Sequence, residues 1–151
     1  MGREVRRVPA DWQHPKNADT DSYQPLYDQD YQAAAQEWKD GFLEWMRKPA
    51  EPDCEYWDWE GGPPDREYYR PKWTEAEQTH YMMYETTSEG TPISPAFESP
   101  ELLAGWLTDN NANAFAGQTA TYEEWLRVAN GGFACSAVIS DGKLTSGVAA
   151  L

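Results

Sequence analysis

The sequence predicts a small α+β domain, and three observations support this prediction. Apolar residues recur at three- and four-residue steps between positions 31 and 46, which indicates one amphipathic helix. Two helix-start signals stand at 99–101 and 121–124, and Asp141-Gly142 separates two strand-like runs. We therefore expect about four helices and a short antiparallel sheet that includes a C-terminal β-hairpin. A chain of 151 residues needs only one domain to bury its core.

Residues 1–25 are predicted to form an extended N-terminal arm. Three prolines stand there among short polar side chains, so we expect little regular structure. Docking of Val5, Val8 and Trp12 on the rest of the chain would order this arm. The remaining residues, 26–151, are predicted to form the single acidic α+β domain.

The first helix is the longest predicted element. Asp28 or Asp30 can cap its start, because a short acidic side chain accepts a hydrogen bond from the first free N–H groups. Pro49 ends it, because proline has no N–H to continue the helix. One face of this helix carries its apolar residues, namely Tyr31, Ala34, Ala35, Trp38, Phe42, Trp45 and Met46.

The middle of the chain is predicted to contain less helix. Residues 49–72 include seven prolines and glycines, which favours a loop or a pair of short strands over a helix. The spacing of Thr74 and Glu77 matches a capping box and predicts a helix over about 75–83. Aromatic and β-branched residues then become frequent, so this helix is expected to pass into a strand before Thr87.

Two helices and a hairpin are predicted in the last third. Ser99–Glu101 begins one helix, since serine caps and proline fits the first helical position. Thr121 begins the next with a capping box, and Gly131 is placed to close it. The turn Asp141-Gly142 then joins the strands of the hairpin, because both residues tolerate a positive φ.

The charge of the chain is concentrated in its middle. The formal net charge is −14, and residues 26–110 carry 19 acidic against six basic residues. Residues 1–25 are neutral overall, and residues 111–151 carry three acids against two bases. Such a chain repels nucleic acid and anionic lipid, so we expect a basic protein partner and no direct binding to nucleic acid or membrane. No apolar run approaches the roughly 20 residues of a membrane span.

The densest acidic stretch also carries adjacent aromatic residues. Seven acids and one base stand between positions 51 and 67. A surface with both rings and carboxylates suits a cationic partner through ion pairs and cation–π contacts. The alternative is a solvated acidic loop whose tryptophans plug the edge of the core. The candidate partner-binding residues are Asp53, Glu55, Trp57, Asp58, Trp59 and Glu60.

A second candidate is the segment from Glu85 to Pro95, which joins hydroxyls and carboxylates to glycine and prolines. It could bind a cationic or hydroxylated ligand, with His80 nearby. The alternative is a rigid connection whose hydroxyls satisfy its own backbone. The candidate ligand-binding residues are His80, Glu85, Ser88 and Glu89.

No catalytic, metal or cofactor site is predicted. Glu77 and His80 have the spacing of a dimetal helix motif, but the chain lacks the second such pair that those sites require. The sequence holds no P-loop, dinucleotide fingerprint or nucleophile elbow. Cys54 and Cys135 allow at most one disulfide, and a cytoplasmic location favours two reduced thiols over this bridge.

Three stretches resemble a family of small accessory proteins that tailed phages and prophages encode. These stretches are Met1–Pro15, Tyr84–Pro95 and Ala120–Leu126. The resemblance implies a phage protein that acts in the cytoplasm of the bacterial host. It implies no activity and no site residues.

By analogy with other small acidic phage proteins, the resemblance predicts an inhibitor of a host nucleic-acid-targeting defence system of the CRISPR–Cas kind. A ligand-binding or enzymatic domain at Glu85–Pro95 is one alternative, and a virion or assembly component is another. The partner, the defence system and the oligomeric state stay open at this stage.

Overall fold

The computed structural model describes residues 1–49, 53–86 and 90–151 and confirms the α+β class. The chain forms two compact units. Unit 1 comprises Met1–Gln24 and Lys72–Leu151, and unit 2 comprises Pro25–Pro71.

Unit 1 contains an antiparallel sheet with the strand order β2-β1-β3. Its middle strand is β1 (Arg3–Val8), which pairs along its whole length with β2 (His80–Glu85) and at one end with β3 (Phe133–Ala134). The N-terminal residues, for which we expected little regular structure, thus include a central strand. Val8 is buried, and Val5 and Trp12 pack against core residues, as their predicted docking requires.

Helices cover this sheet and begin at the predicted caps. α3 (Pro100–Asp109) begins where the Ser99 hydroxyl accepts from an N–H of the first turn, and α4 (Tyr122–Gly131) begins with the Thr121 capping box. Gly132, rather than Gly131, takes the left-handed conformation that ends α4, with φ of 85°. The core between these elements contains Met83, Leu103, Leu107, Trp125, Val128 and Val148.

The C-terminal hairpin is confirmed, and it forms a separate two-stranded sheet. β4 (Ala137–Ser140) pairs with β5 (Lys143–Ser146) around the turn at Asp141 and Gly142, which have φ of 51° and 75°. A short helix, α5 (Gly147–Ala150), follows.

The helix predicted over 75–83 was wrong. Only a 3-10 turn forms at Glu75–Glu77, and β2 begins three positions later at His80. Thr74 and Glu77 do interact, since the Thr74 hydroxyl donates to the Glu77 carboxylate at 2.9 Å. Pairing of β2 with β1, which buries Met82, Met83 and Tyr84, outweighs this local helix signal.

Unit 2 is built on α1 (Tyr31–Met46), which Asp30 caps by accepting from the Ala33 N–H at 2.9 Å. The expectation that residues 49–72 hold no helix was also wrong. α2 (Tyr56–Glu60) forms there, and a 3-10 turn follows at Arg66–Tyr68. The side chains of Glu55 and Asp58 form a reciprocal capping box at the start of α2.

Candidate functional site

The six candidate partner-binding residues lie on α2 and the residues before it, and all six are exposed. Trp57 is 49% exposed and Trp59 is 71% exposed. We call these residues the acidic–aromatic surface: Asp53, Glu55, Trp57, Asp58, Trp59 and Glu60. Two large rings that stay in water beside four carboxylates contradict the alternative in which the tryptophans plug a core edge.

Local geometry fixes how the acidic–aromatic surface is presented. The Glu55–Asp58 capping box starts α2 directly after Cys54, and Gly61 ends it with φ of 77°. The indole N–H of Trp59 donates to the Cys54 sulfur, which holds that ring over the start of the helix. The Trp38 indole N–H on α1 donates to the Gly61 carbonyl at 3.0 Å and ties the end of α2 to α1.

Tyr56 points the opposite way from its exposed neighbours and is only 7% exposed. Its ring lies 5.2 Å from Trp38, 5.7 Å from Phe42 and 6.2 Å from Trp45 between ring centroids. Gly41 makes this approach possible, because a Cβ at that position would collide with the Tyr56 hydroxyl. Tyr56 thus joins α2 to an aromatic row on α1.

The apolar face predicted for α1 is only half-buried. Ala34 is its one buried residue among those described, and Met46 is 60% exposed. Trp38 and Phe42 stack with planes 8° apart, and Phe42 stacks in turn on Trp45 at 16°. The face therefore forms an aromatic surface in unit 2 and not a closed core.

A cleft of about 410 Å³ opens between α1 and α2. We call it the aromatic cleft. Three rings line it, those of Trp45, Tyr56 and Trp59, together with the charged side chains of Glu44, Glu60 and Lys48. Gly41 and Pro49 complete the lining.

The electrostatics of the aromatic cleft favour positive charge. Burial raises the pKa of the Tyr56 phenol, and the carboxylates of Glu60, Glu37 and Glu44 raise it further. Unit 2 as a whole carries 12 acidic against five basic residues in 47 positions. A cation that enters the cleft gains from these carboxylates and from the ring faces.

The sequence did not predict the aromatic cleft because three of its eight lining residues, Gly41, Glu44 and Trp45, lie on α1. The apolar spacing of α1 is the ordinary signal of a core-facing helix, and nothing in it distinguishes a half-buried row from a buried one. Gly41 is the one residue whose type could have indicated the aromatic cleft. A glycine in a helix interior costs stability, which suggests that another group approaches the helix there.

The two described residues of the second candidate site, His80 and Glu85, do not lie together. His80 and Glu85 stand at opposite ends of β2, roughly 17 Å apart at the usual rise per residue. Their separation of five positions also directs them to opposite faces of the strand. Ser88 and Glu89 lie outside the described residues.

The individual contacts of the second candidate are structural. The Glu85 carboxylate lies 3.9 Å from the buried guanidinium of Arg3, and His80 Nδ1 is hydrogen-bonded to the Thr79 hydroxyl at 2.8 Å. Ser94, later in the same segment, is buried, and its hydroxyl accepts from the Met83 N–H at 2.9 Å. These contacts give Glu85, His80 and Ser94 structural partners within the chain.

Glu77 and His80 do not share a helix face, because the chain leaves the 3-10 turn before it reaches His80. Among the described residues, no group of three or more His, Cys, Asp or Glu side chains is arranged to hold a metal ion. Cys54 and Cys135 are both free thiols.

His14 lies in unit 1, where both of its ring nitrogens are hydrogen-bonded. Because the Gln24 carbonyl can only accept, Nε2 carries the proton and donates to it at 2.6 Å. Nδ1 then accepts from the Tyr84 hydroxyl at 3.1 Å, and that oxygen in turn accepts from the Trp12 indole N–H. Burial lowers the pKa of His14, the bond to Gln24 opposes this shift, and the charge of Arg6 adds to it. His14 is therefore a neutral structural residue and not a free base.

Comparison with protein-family models, with curated proteins and with solved structures finds no match for this chain. The resemblance to phage accessory proteins therefore stays a prediction. Within the described ranges, no helix has the length and apolar character needed to cross a membrane.

Proposed function

We propose that this chain is a protein-binding module that docks its acidic–aromatic surface on a basic partner in a fixed stoichiometry. The exposure of Trp57 and Trp59 beside four carboxylates is the observation that carries this proposal. Tryptophan is enriched among the residues that dominate binding energy at interfaces. The surrounding charges would steer a positively charged partner and set its orientation.

The biological role we propose is inhibition of a bacterial nucleic-acid-targeting defence complex. Such complexes expose basic channels for nucleic acid, and an acidic surface with anchoring rings is complementary to them. The resemblance of three sequence stretches to phage proteins supports this role. The contacts of His80 and Glu85 favour neither a ligand site nor an enzyme.

The test neutralises the surface without removing the cap of α2. Glu55→Gln, Asp58→Asn and Glu60→Gln together remove three negative charges and retain oxygen acceptors at the capping positions. The control carries Glu98→Gln, Glu123→Gln and Asp141→Asn, which remove the same charge from exposed residues of unit 1. Each immobilised protein is exposed to bacterial lysate over a series of salt concentrations.

We expect the wild type and the control to retain a basic host protein at low salt and release it as salt rises. The surface variant should lose that protein at all salt concentrations. Equal retention by the surface variant would contradict docking through this surface. For the proposed role, adding the chain to a purified defence complex at about a 1:1 ratio should block nucleic-acid cleavage. Unaltered cleavage in excess of the chain would exclude that role for the complex tested.

A further inference from the structure

We propose that the aromatic cleft receives the guanidinium group of an arginine side chain of the protein partner. This inference rests on the proposed function, because it names the chemical group by which the partner is recognised. It differs from surface docking in that it assigns one pocket to one side chain.

The rings and charges of the aromatic cleft suit a planar cation. Trp45, Tyr56 and Trp59 provide ring surface, and tryptophan is the strongest partner in cation–π contacts. Glu44 and Glu60 carry two negative charges against the one positive charge of Lys48 among the residues that line the cleft. The net charge of the lining is therefore negative.

The Tyr56 hydroxyl adds a neutral polar group to the lining of the aromatic cleft. The residue is only 7% exposed, and the packing of its ring against α1 fixes the position of the hydroxyl. Tyr56 lines the aromatic cleft, so a donor that enters can donate to this oxygen.

The number of acceptors favours guanidinium over ammonium. The Tyr56 hydroxyl and the carboxylates of Glu44 and Glu60 lie around one cleft, and guanidinium has five N–H donors in a planar fork. It also stacks on aromatic faces and is less strongly hydrated than the compact ammonium of lysine. The cost of entering a cleft lined by rings is therefore smaller for arginine.

The surroundings of the aromatic cleft favour an arginine within a protein over a free small molecule. A volume of about 410 Å³ is at the lower end of the roughly 300–1,000 Å³ found for ligand clefts. Trp59 lines the cleft and is still 71% exposed, and Trp57 on the same short helix is 49% exposed. A free metabolite would leave these rings in water, whereas a partner surface around its arginine would cover them.

The test is a titration of the purified chain with Nα-acetyl-arginine amide, followed by the indole N–H signals in NMR spectra. We expect saturable shifts for Trp45 and Trp59 and none for Trp125, which is buried in unit 1. The matched probe is Nα-acetyl-citrulline amide, which has nearly the same shape and no charge. It should leave all three signals unchanged, and the lysine derivative should bind more weakly than the arginine derivative.

Two double variants distinguish binding in the aromatic cleft from a nonspecific effect of the negative charge of the chain. Glu44→Gln with Tyr56→Phe should weaken binding of the arginine derivative about tenfold or more, since the first change removes a negative charge and the second removes a hydroxyl acceptor. Glu98→Gln with Glu123→Gln, in unit 1, should leave the dissociation constant unchanged. Circular dichroism of each variant checks that the helices remain.

An arginine derivative that gives no saturable shift at Trp45 and Trp59 would overturn this inference, as would equal binding of the citrulline derivative. Lysine binding as tight as that of arginine would overturn the assignment to guanidinium. These titrations contain no partner protein, so their failure leaves the salt-dependent retention test of the proposed function untouched. Equal retention of the host protein by the wild type and the surface variant, together with normal arginine binding, would contradict the proposed function instead.

Discussion

The two units use tryptophan in opposite ways. In unit 1, Trp125 is fully buried within an aliphatic core, whereas Trp59 in unit 2 is 71% exposed on a helix of five residues. The charge differs in density as well, because unit 2 has 12 acids against five bases in 47 residues and unit 1 has 14 against seven in 104. Unit 1 therefore holds much of the core, whereas unit 2 exposes rings and carboxylates on its surface.

The largest expected effect distinguishes the buried Trp125 of unit 1 from the exposed Trp59 of unit 2. Trp125→Ala removes a fully buried ring and should lower the free energy of unfolding by about 3–5 kcal/mol. Trp59→Ala should change it by less than about 0.5 kcal/mol, since exposed side chains contribute little. Urea unfolding followed by circular dichroism measures both values. Similar losses for the two variants would refute the division of roles.

The next effect concerns the network around His14 in unit 1. His14→Leu removes one hydrogen-bond partner of the Tyr84 hydroxyl and one of the Gln24 carbonyl, so we expect a loss of about 1–3 kcal/mol in unfolding free energy. Thermal unfolding measures this loss. A stability equal to that of the wild type would show that the network is dispensable.

The same residue gives unit 1 a dependence on pH. The pKa of His14 is lowered in the folded chain, so the unfolded chain binds more protons and stability falls as the pH decreases. The decrease should begin near the unfolded pKa of about 6.5 and level off below the folded pKa. Denaturation midpoints between pH 8 and pH 5 should show a shallower decrease for His14→Leu than for the wild type. Equal slopes would contradict this prediction.

The next prediction concerns one helical glycine in each unit. Gly41→Ala places a Cβ against the Tyr56 hydroxyl, and such overpacking should cost about 1–3 kcal/mol and displace the ring. Gly105→Ala on α3 meets open space and should stabilise the chain by about 0.5–1 kcal/mol, because alanine is the better helix former. The midpoints of urea unfolding should therefore decrease for Gly41→Ala and increase for Gly105→Ala. A stabilising Gly41→Ala would contradict the packing of Tyr56 on α1.

The smallest expected effect is the loss of a helix cap in either unit. Thr121→Ala on α4 and Asp30→Ala on α1 should each cost about 1 kcal/mol, since each leaves N–H groups of the first turn without an acceptor. Thr121→Ser, which keeps the hydroxyl, is the control and should retain most of the stability. Differential scanning calorimetry measures the shifts, and a neutral Asp30→Ala would contradict the observed cap of α1.

Elements with local signals could be predicted from the sequence. Asp30, Ser99 and Thr121 each contact the next turn of the chain, so their helices begin as expected. The turn at Asp141-Gly142 likewise depends on only two residues that accept a positive φ. Such signals are independent of the rest of the fold.

Elements that depend on distant partners could not be predicted. β1 pairs with residues about 75 positions away, and its buried Arg3 and Arg6 obscure the alternation of a strand. α2 starts with glutamate and aspartate in a capping box, among prolines that favour a loop. For the candidate site, the sequence indicated that Trp57 and Trp59 are exposed. The aromatic cleft could not be predicted, because its lining depends on how α1 packs against α2.

The most direct test of the account is the affinity of the retained host protein for the double variant Trp57→Ala/Trp59→Ala. Because interface tryptophans often dominate binding energy, the dissociation constant should rise at least about tenfold relative to the wild type. An unchanged dissociation constant would contradict the central claim that unit 2 exposes these rings in order to bind.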